Sequence, residues 1–101
     1  MRIIAKSTLR NFWKIYPESE QPLRDWYIIT KQQEWSTPNE IKNIFGNASI
    51  LGNNRVIFNI KGNDFRLITE VDYEIKFVFI LWIGTHVEYD KIDAKKITYE
   101  P

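Results

Sequence analysis

The residues best suited to chemistry fall into two short strings in the C-terminal half. Lys61, Asn63 and Arg66 lie in FNIKGNDFRLI, and His86, Glu88, Tyr89, Asp90 and Lys91 follow Gly84-Thr85 in GTHVEYDKI. His86 is the sole histidine and cysteine is absent, which leaves no thiol nucleophile and no credible metal-ligand set. What remains is a mixture of cationic clamps and proton-transfer groups. Such a set suits cleavage of RNA without a metal or any other cofactor. The substrate carries its own nucleophile, the 2′-hydroxyl, so the protein must take a proton, stabilise the phosphorane and protonate the leaving oxygen. An imidazole can act as acid or base, contributing ~10²–10⁴-fold when well placed. Fixed lysine and arginine hold the non-bridging oxygens as charge builds up, and a tyrosine can stack on an unpaired base.

The two strings serve one site only if strands bring them together. Val56, Phe58 and Ile60 alternate with Arg55, Ile57 and Asn59, which predicts a half-buried strand. Lys61-Gly62-Asn63 reverses the chain. A second strand has Phe65, Leu67, Thr69 and Val71 alternating with Arg66, Ile68, Glu70 and Asp72. The run from Lys76 to Ile83 is apolar on both faces, as expected for a central strand covered on both sides. Pairing the last two strands about Tyr73-Glu74 sets Arg66 opposite roughly Leu81. The chain leaving Ile83 then runs toward the Lys61-Gly62-Asn63 turn, and one pole of the sheet gathers both strings.

Upstream lies helical cover. Arg2 to Ala5 reads as a short strand or extended arm. Ser7 is the expected N-cap of a helix with Leu9, Phe12, Trp13 and Tyr16 inward, ended by Pro17. A second helix starts near Ser19, tolerates Pro22 in its first turn and turns Leu23, Trp26, Tyr27 and Thr30 inward. Thr37-Pro38-Asn39-Glu40 has the capping-box pattern, Ile41, Ile44 and Phe45 are expected to face the core, and Gly46 is the expected left-handed C-cap. Ser49 to Leu51 suggests an edge strand. Helices followed by an antiparallel meander predict an α+β fold, one domain over residues 1–101.

Composition narrows the function classes. An aromatic content of 15% argues against disorder. The net charge of +1 argues against an autonomous nucleic-acid binder, whose affinity depends on neutralising phosphates. It permits a local basic site, or delivery to RNA by a larger machine. The lack of cysteine, of a secretory signal and of a membrane-length apolar run makes the cytoplasm the expected location, with no membrane partner. Singly, each candidate also has an ordinary explanation. Arg66 could pair with Glu70 or Asp72, Lys61 could be solvated in its turn, Tyr89 could pack under the tail, and Lys91, Lys95 and Lys96 could form a solubilising face. The tryptophans read as core. Convergence at one pole is what favours a site.

The two strings, in this order, resemble the HigB toxins of bacterial type II toxin–antitoxin systems, members of the wider RelE-like group of mRNA interferases. The resemblance is close through the second half and extends to the first half only in helical layout. It implies a RelE-like fold and a toxin that cleaves mRNA on the ribosome, silenced by a HigA-like helix-turn-helix antitoxin through which alone it meets operator DNA. It further implies that Lys61 and Arg66 contact the scissile phosphate and that His86 transfers protons, with Tyr89 and Asp90 assisting. Lys61, Asn63, Arg66, Tyr89 and Lys91 are the expected RNA contacts. Where many RelE-like nucleases carry several arginines and a late tyrosine, a histidine follows Gly84-Thr85 here. The same fold also offers a non-nucleolytic alternative, either a ParE-type gyrase inhibitor or an inactive toxin acting only with its antitoxin in autoregulation.

Overall fold

The computed structural model describes residues 1–100. Strand β1 (Arg2–Ile4) leads into helix α1 (Lys6–Ile15), a 3-10 turn at Pro17–Ser19 and helix α2 (Glu20–Lys31). Helix α3 (Pro38–Ile44) precedes strands β2 (Ser49–Ile50), β3 (Arg55–Ile60), β4 (Phe65–Asp72) and β5 (Phe77–Thr85), and a one-turn helix α4 (His86–Tyr89) follows directly. The five strands form one sheet in the order β1-β5-β4-β3-β2. The antiparallel meander is as expected, and β1 adds a parallel edge by pairing Arg2, Ile3 and Ile4 with Phe77, Val78 and Phe79. The arrangement is α+β.

The helices cover one face of the sheet. Leu9, Phe12 and Trp13 of α1, Leu23 and Trp26 of α2, and Ile41 of α3 pack against Val56, Phe58, Ile60, Phe65, Leu67, Val71, Val78 and Ile80. Phe58 is the aromatic hub, within 5.2 Å of the Trp26 ring and 5.1 Å of the Phe45 ring. A smaller cluster occupies the opposite face, where Ile57 and Ile68 are covered by Ala94, Ile92 and Ile97 of the C-terminal segment. That segment makes β3 buried on both faces instead of half-buried. Arg55 fastens it. The residue is 6% exposed, and its guanidinium pairs with Glu70 at 3.2 Å and donates to the Ile97 carbonyl at 2.7 Å.

Several local expectations change. Helix α1 begins one residue before Ser7, with Ala5 as its cap and no side-chain cap bond. Thr37 caps α3 in extended geometry but its hydroxyl receives no cap bond, and the Glu40 carboxylate accepts instead from the Ser36 amide at 3.2 Å. Gly46 is not left-handed, since Gly62 is the glycine with positive φ. The end of α3 is closed by Lys42, whose Nζ donates to the carbonyls of Gly46 and Ala48, each at 2.8 Å. Ile44 is 48% exposed and does not join the core.

The register of β4 and β5 matters most for the site. Asp72 pairs with Phe77, so Tyr73 to Lys76 all belong to the turn. A bulge between Ile68 and Thr69 then leaves Leu81 without a direct partner, because Ile68 faces Trp82 while Thr69 faces Ile80. Arg66 consequently stands opposite Gly84, not Leu81. The longer turn and the extra residue shift the pairing toward His86. Leu81 and Trp82, though adjacent, both join the cluster on the face away from the helices.

Candidate active site

The site is assembled at the junction where β3 turns into β4 and β5 runs into α4. Lys61 and Gly62 in the four-residue turn 61–64 both adopt left-handed backbone, with φ of 53° and 63°. Glycine accepts this freely, whereas for lysine it is an uncommon state. The Lys61 ammonium lies 3.4 Å from the Asp64 carboxylate, both exposed, so this pair contributes little and can be exchanged for another anion. Arg66 sits on the face away from the helices, beside Asn59 on β3 and Gly84 on β5. Its Nη1 donates to the Asn63 carbonyl at 2.8 Å and to the Phe65 carbonyl at 3.3 Å. Two backbone carbonyls thus orient the fork, and no carboxylate neutralises it within ion-pair distance among the described residues. Glu70, the partner considered for it from sequence, is engaged by Arg55.

The second string reaches the same place. The His86 amide donates to the Asp64 carbonyl at 3.1 Å, stitching α4 to the β3–β4 turn. Tyr89, one turn along α4, places its ring under Arg66, with Cζ 6.0 Å from the centroid, and tilts against the Trp82 ring at 6.3 Å. The short helix is capped at its start. The Thr85 hydroxyl accepts from the Glu88 amide at 3.2 Å, and Glu88 Oε1 accepts from the Thr85 amide at 2.9 Å and hydroxyl at 3.1 Å. The Thr85 amide holds the Glu88 carboxyl below its ordinary range. Gly84 is buried because the Trp82 ring lies across it; a Cβ there would meet the ring carbons Cη2 and Cζ2 at 2.4 and 2.5 Å.

Lys61, Asn63, Arg66, His86 and Tyr89 are therefore joined into one patch by these contacts. The His86 side chain is exposed and free of hydrogen bonds among the described residues. Asp90 is the exposed C-cap of α4; its amide donates to the His86 carbonyl at 3.1 Å, and its carboxylate makes no hydrogen bond to the His86 side chain among the described residues. The following turn is organised by Asp93, which accepts from the Lys95 amide at 3.1 Å. Lys91 is exposed beyond α4, with its amide bonded to the Glu88 carbonyl. Reading the sequence overlooked Thr85 and Glu88 as a cap, although Thr-His-Val-Glu carries the legible pattern. It also overlooked Asn59 and Trp82, which are placed beside the patch by cross-strand register.

The patch is an open surface. A concavity of about 480 Å³ elsewhere, bounded by Thr8, Trp82, Ile92 and Ile97 among others, includes none of the seven candidate residues. Such a surface suits an extended polymer held from a second side more than a small molecule enclosed in a pocket. Among the described residues no group of three or more His, Cys, Asp or Glu could hold a metal ion.

Comparison with known families decides the relationship. The sequence model described as HigB_toxin, the RelE-like toxic component of a toxin–antitoxin system, matches residues 19–92. The chain belongs to the HigB toxin family. Its HigB match contains all of the patch, from Lys61 to Lys91. The HigB-family chain is also 30% identical over 94 residues, 91% of each chain, to a protein of Escherichia coli O6:H1 named mRNA interferase HigB. No helix among the described residues is long and apolar enough to cross a membrane.

Proposed function

We propose that this HigB-family toxin is a cytoplasmic, ribosome-dependent endoribonuclease, a single domain that cleaves mRNA by attack of the 2′-hydroxyl without a metal. The observation that supports this most is the patch in which Arg66, oriented by the Asn63 carbonyl, covers Tyr89 while His86 is tied to the adjoining turn. Arg66 and Lys61 hold the scissile phosphate and stabilise the phosphorane as charge grows on its non-bridging oxygens. His86 moves the proton, with Asp90 in support, and Tyr89 orients the phosphate or stacks on a base. Asn63 and Lys91 extend the RNA contact. The ribosome supplies the second side that an open surface lacks, which accounts for a nuclease with a net charge of only +1. A HigA-like helix-turn-helix antitoxin is the cognate inhibitor and the route to operator DNA.

The test is incubation of purified toxin with mRNA, free and on programmed ribosomes, in buffer containing EDTA. Cleavage on ribosomes with 2′,3′-cyclic phosphate ends is the expected result. Intact message under both conditions, especially with inhibition of DNA gyrase, would overturn the nuclease reading.

A further inference from the structure

A four-residue helix does not hold itself, since isolated helices shorter than about 12–15 residues are marginal in water. Yet α4 carries His86 at its first position and Tyr89 at its last. Its geometry is fixed from outside by three devices. The Asp64 carbonyl takes the His86 amide, the Trp82 ring backs Tyr89, and Glu88 folds back onto Thr85 to complete the capping box. The first two secure one residue each. Of the three, the Glu88–Thr85 box alone spans the helix, joining the residue before His86 to the residue before Tyr89, and it adds to the one backbone bond from the Asp90 amide to the His86 carbonyl.

We propose that Glu88 is a positioning residue of the nuclease site, locking α4 so that His86 and Tyr89 are presented together to the phosphate oriented by Arg66. The inference rests on the reading of His86 and Tyr89 as working groups. Glu88 is the one carboxylate of the GTHVEYDKI string whose oxygen is committed to the backbone and hydroxyl of Thr85. Its charge is thereby directed at the helix N-terminus, the end that favours an anion, and it makes no ion pair with Lys61 or Arg66 among the described residues. A carboxylate close to an RNA site is otherwise a liability. The cap gives it a use. Losing the lock leaves the phosphate clamp intact and loosens the proton-transfer group, and small misplacements of a reacting group cost up to ~10²-fold.

The experiment compares wild type, Glu88→Ala, Glu88→Gln, Thr85→Ala and His86→Ala in single-turnover and steady-state cleavage on programmed ribosomes, alongside thermal unfolding. Glu88→Ala and Thr85→Ala are expected to lower kcat about 10–100-fold with KM and melting temperature near those of wild type. Glu88→Gln, whose amide oxygen can still accept from Thr85, is expected to retain most of the rate. A purely structural role would lower the melting temperature without splitting kcat from KM, and that outcome overturns the proposal. So does a Glu88→Ala protein as fast as wild type when His86→Ala is inactive. Full activity of His86→Ala would instead sink the reading of the site itself, and the positioning role with it.

Discussion

Arg66 lies over the ring of Tyr89, its guanidinium carbon 6.0 Å from the ring centre, while its Nη1 is anchored 2.8 Å from the Asn63 carbonyl. A planar fork fixed on two sides leaves its remaining donors aimed outward for a phosphate. Replacing Arg66 with alanine is expected to reduce mRNA cleavage ~10²–10³-fold, the usual cost of removing one donor to a developing oxyanion. Stability should change by no more than about 0.5–1 kcal/mol, since the contact with Tyr89 lies at the surface. Arg66→Lys should remain well below wild type, because an ammonium cannot both lie on the ring and present a fork. Growth arrest on induction, with urea unfolding of the purified variants, reads both quantities.

Gly84→Ala should be costly for a residue next to a surface site. The new methyl would overlap the Trp82 ring at 2.4 Å, and a large ring packed between strand and Tyr89 has little freedom to yield. Overpacking of this kind costs about 1–3 kcal/mol. The same substitution in a Trp82→Leu background should cost less, and the coupling between the two is measured from a double-mutant cycle of unfolding midpoints.

The comparison that separates core from site is Phe58→Ala. Phe58 is 1% exposed and touches the rings of Trp26, Trp35 and Phe45. Its truncation is expected to cost ~3–5 kcal/mol, and any loss of toxicity should track the lost folded fraction. Phe79, in the middle of an apolar run, looks equivalent in sequence, yet it is only half-buried and packs with Phe77 and Tyr99 on the face away from the helices. Phe79→Ala should be the milder change in the same denaturation series.

Acid should release α4 before it unfolds the rest. The Glu88 carboxyl is held below its ordinary value, chiefly by the Thr85 amide and then by the Thr85 hydroxyl. A carboxyl whose folded value is depressed adds stability above its unfolded value, and that contribution disappears as pH falls through the folded one. Below the ordinary glutamate range, hydrogen exchange at the Thr85 amide is expected to accelerate while amides of β4 stay protected. Glu88→Gln, which does not ionise, should abolish that pH dependence.

Periodicity was enough to read the helices, the three long strands and their common pole, because alternation and 3.6-residue spacing report burial directly. The capping boxes show where that reading stops. Thr37-Pro38-Asn39-Glu40 and Thr85-His86-Val87-Glu88 carry the same pattern, yet only the second closes as a reciprocal pair. In the first, Glu40 reaches the Ser36 amide instead. The choice depends on the approach angle of the preceding chain, which is set by tertiary packing. Register was misplaced for a related reason. The length of the Tyr73–Lys76 turn and the unpaired Leu81 are decided by how the sheet coils, and neither has a residue signature as plain as a proline or glycine. Arg55 is legible only as an alternating polar residue, since what buries it is a C-terminal segment beginning more than thirty positions later.

The supernumerary Leu81 is absorbed where it stands. Ile80 already faces Thr69 and Trp82 already faces Ile68, so deleting Leu81 would close the bulge and leave both neighbours with the partners they have now. Val78 and Ile80 would stay beneath the helices, and Gly84 would stay beside Arg66. A chain shortened by a single codon there should keep its main core and its active pole, and give up only the local bend and one apolar side chain under the C-terminal segment.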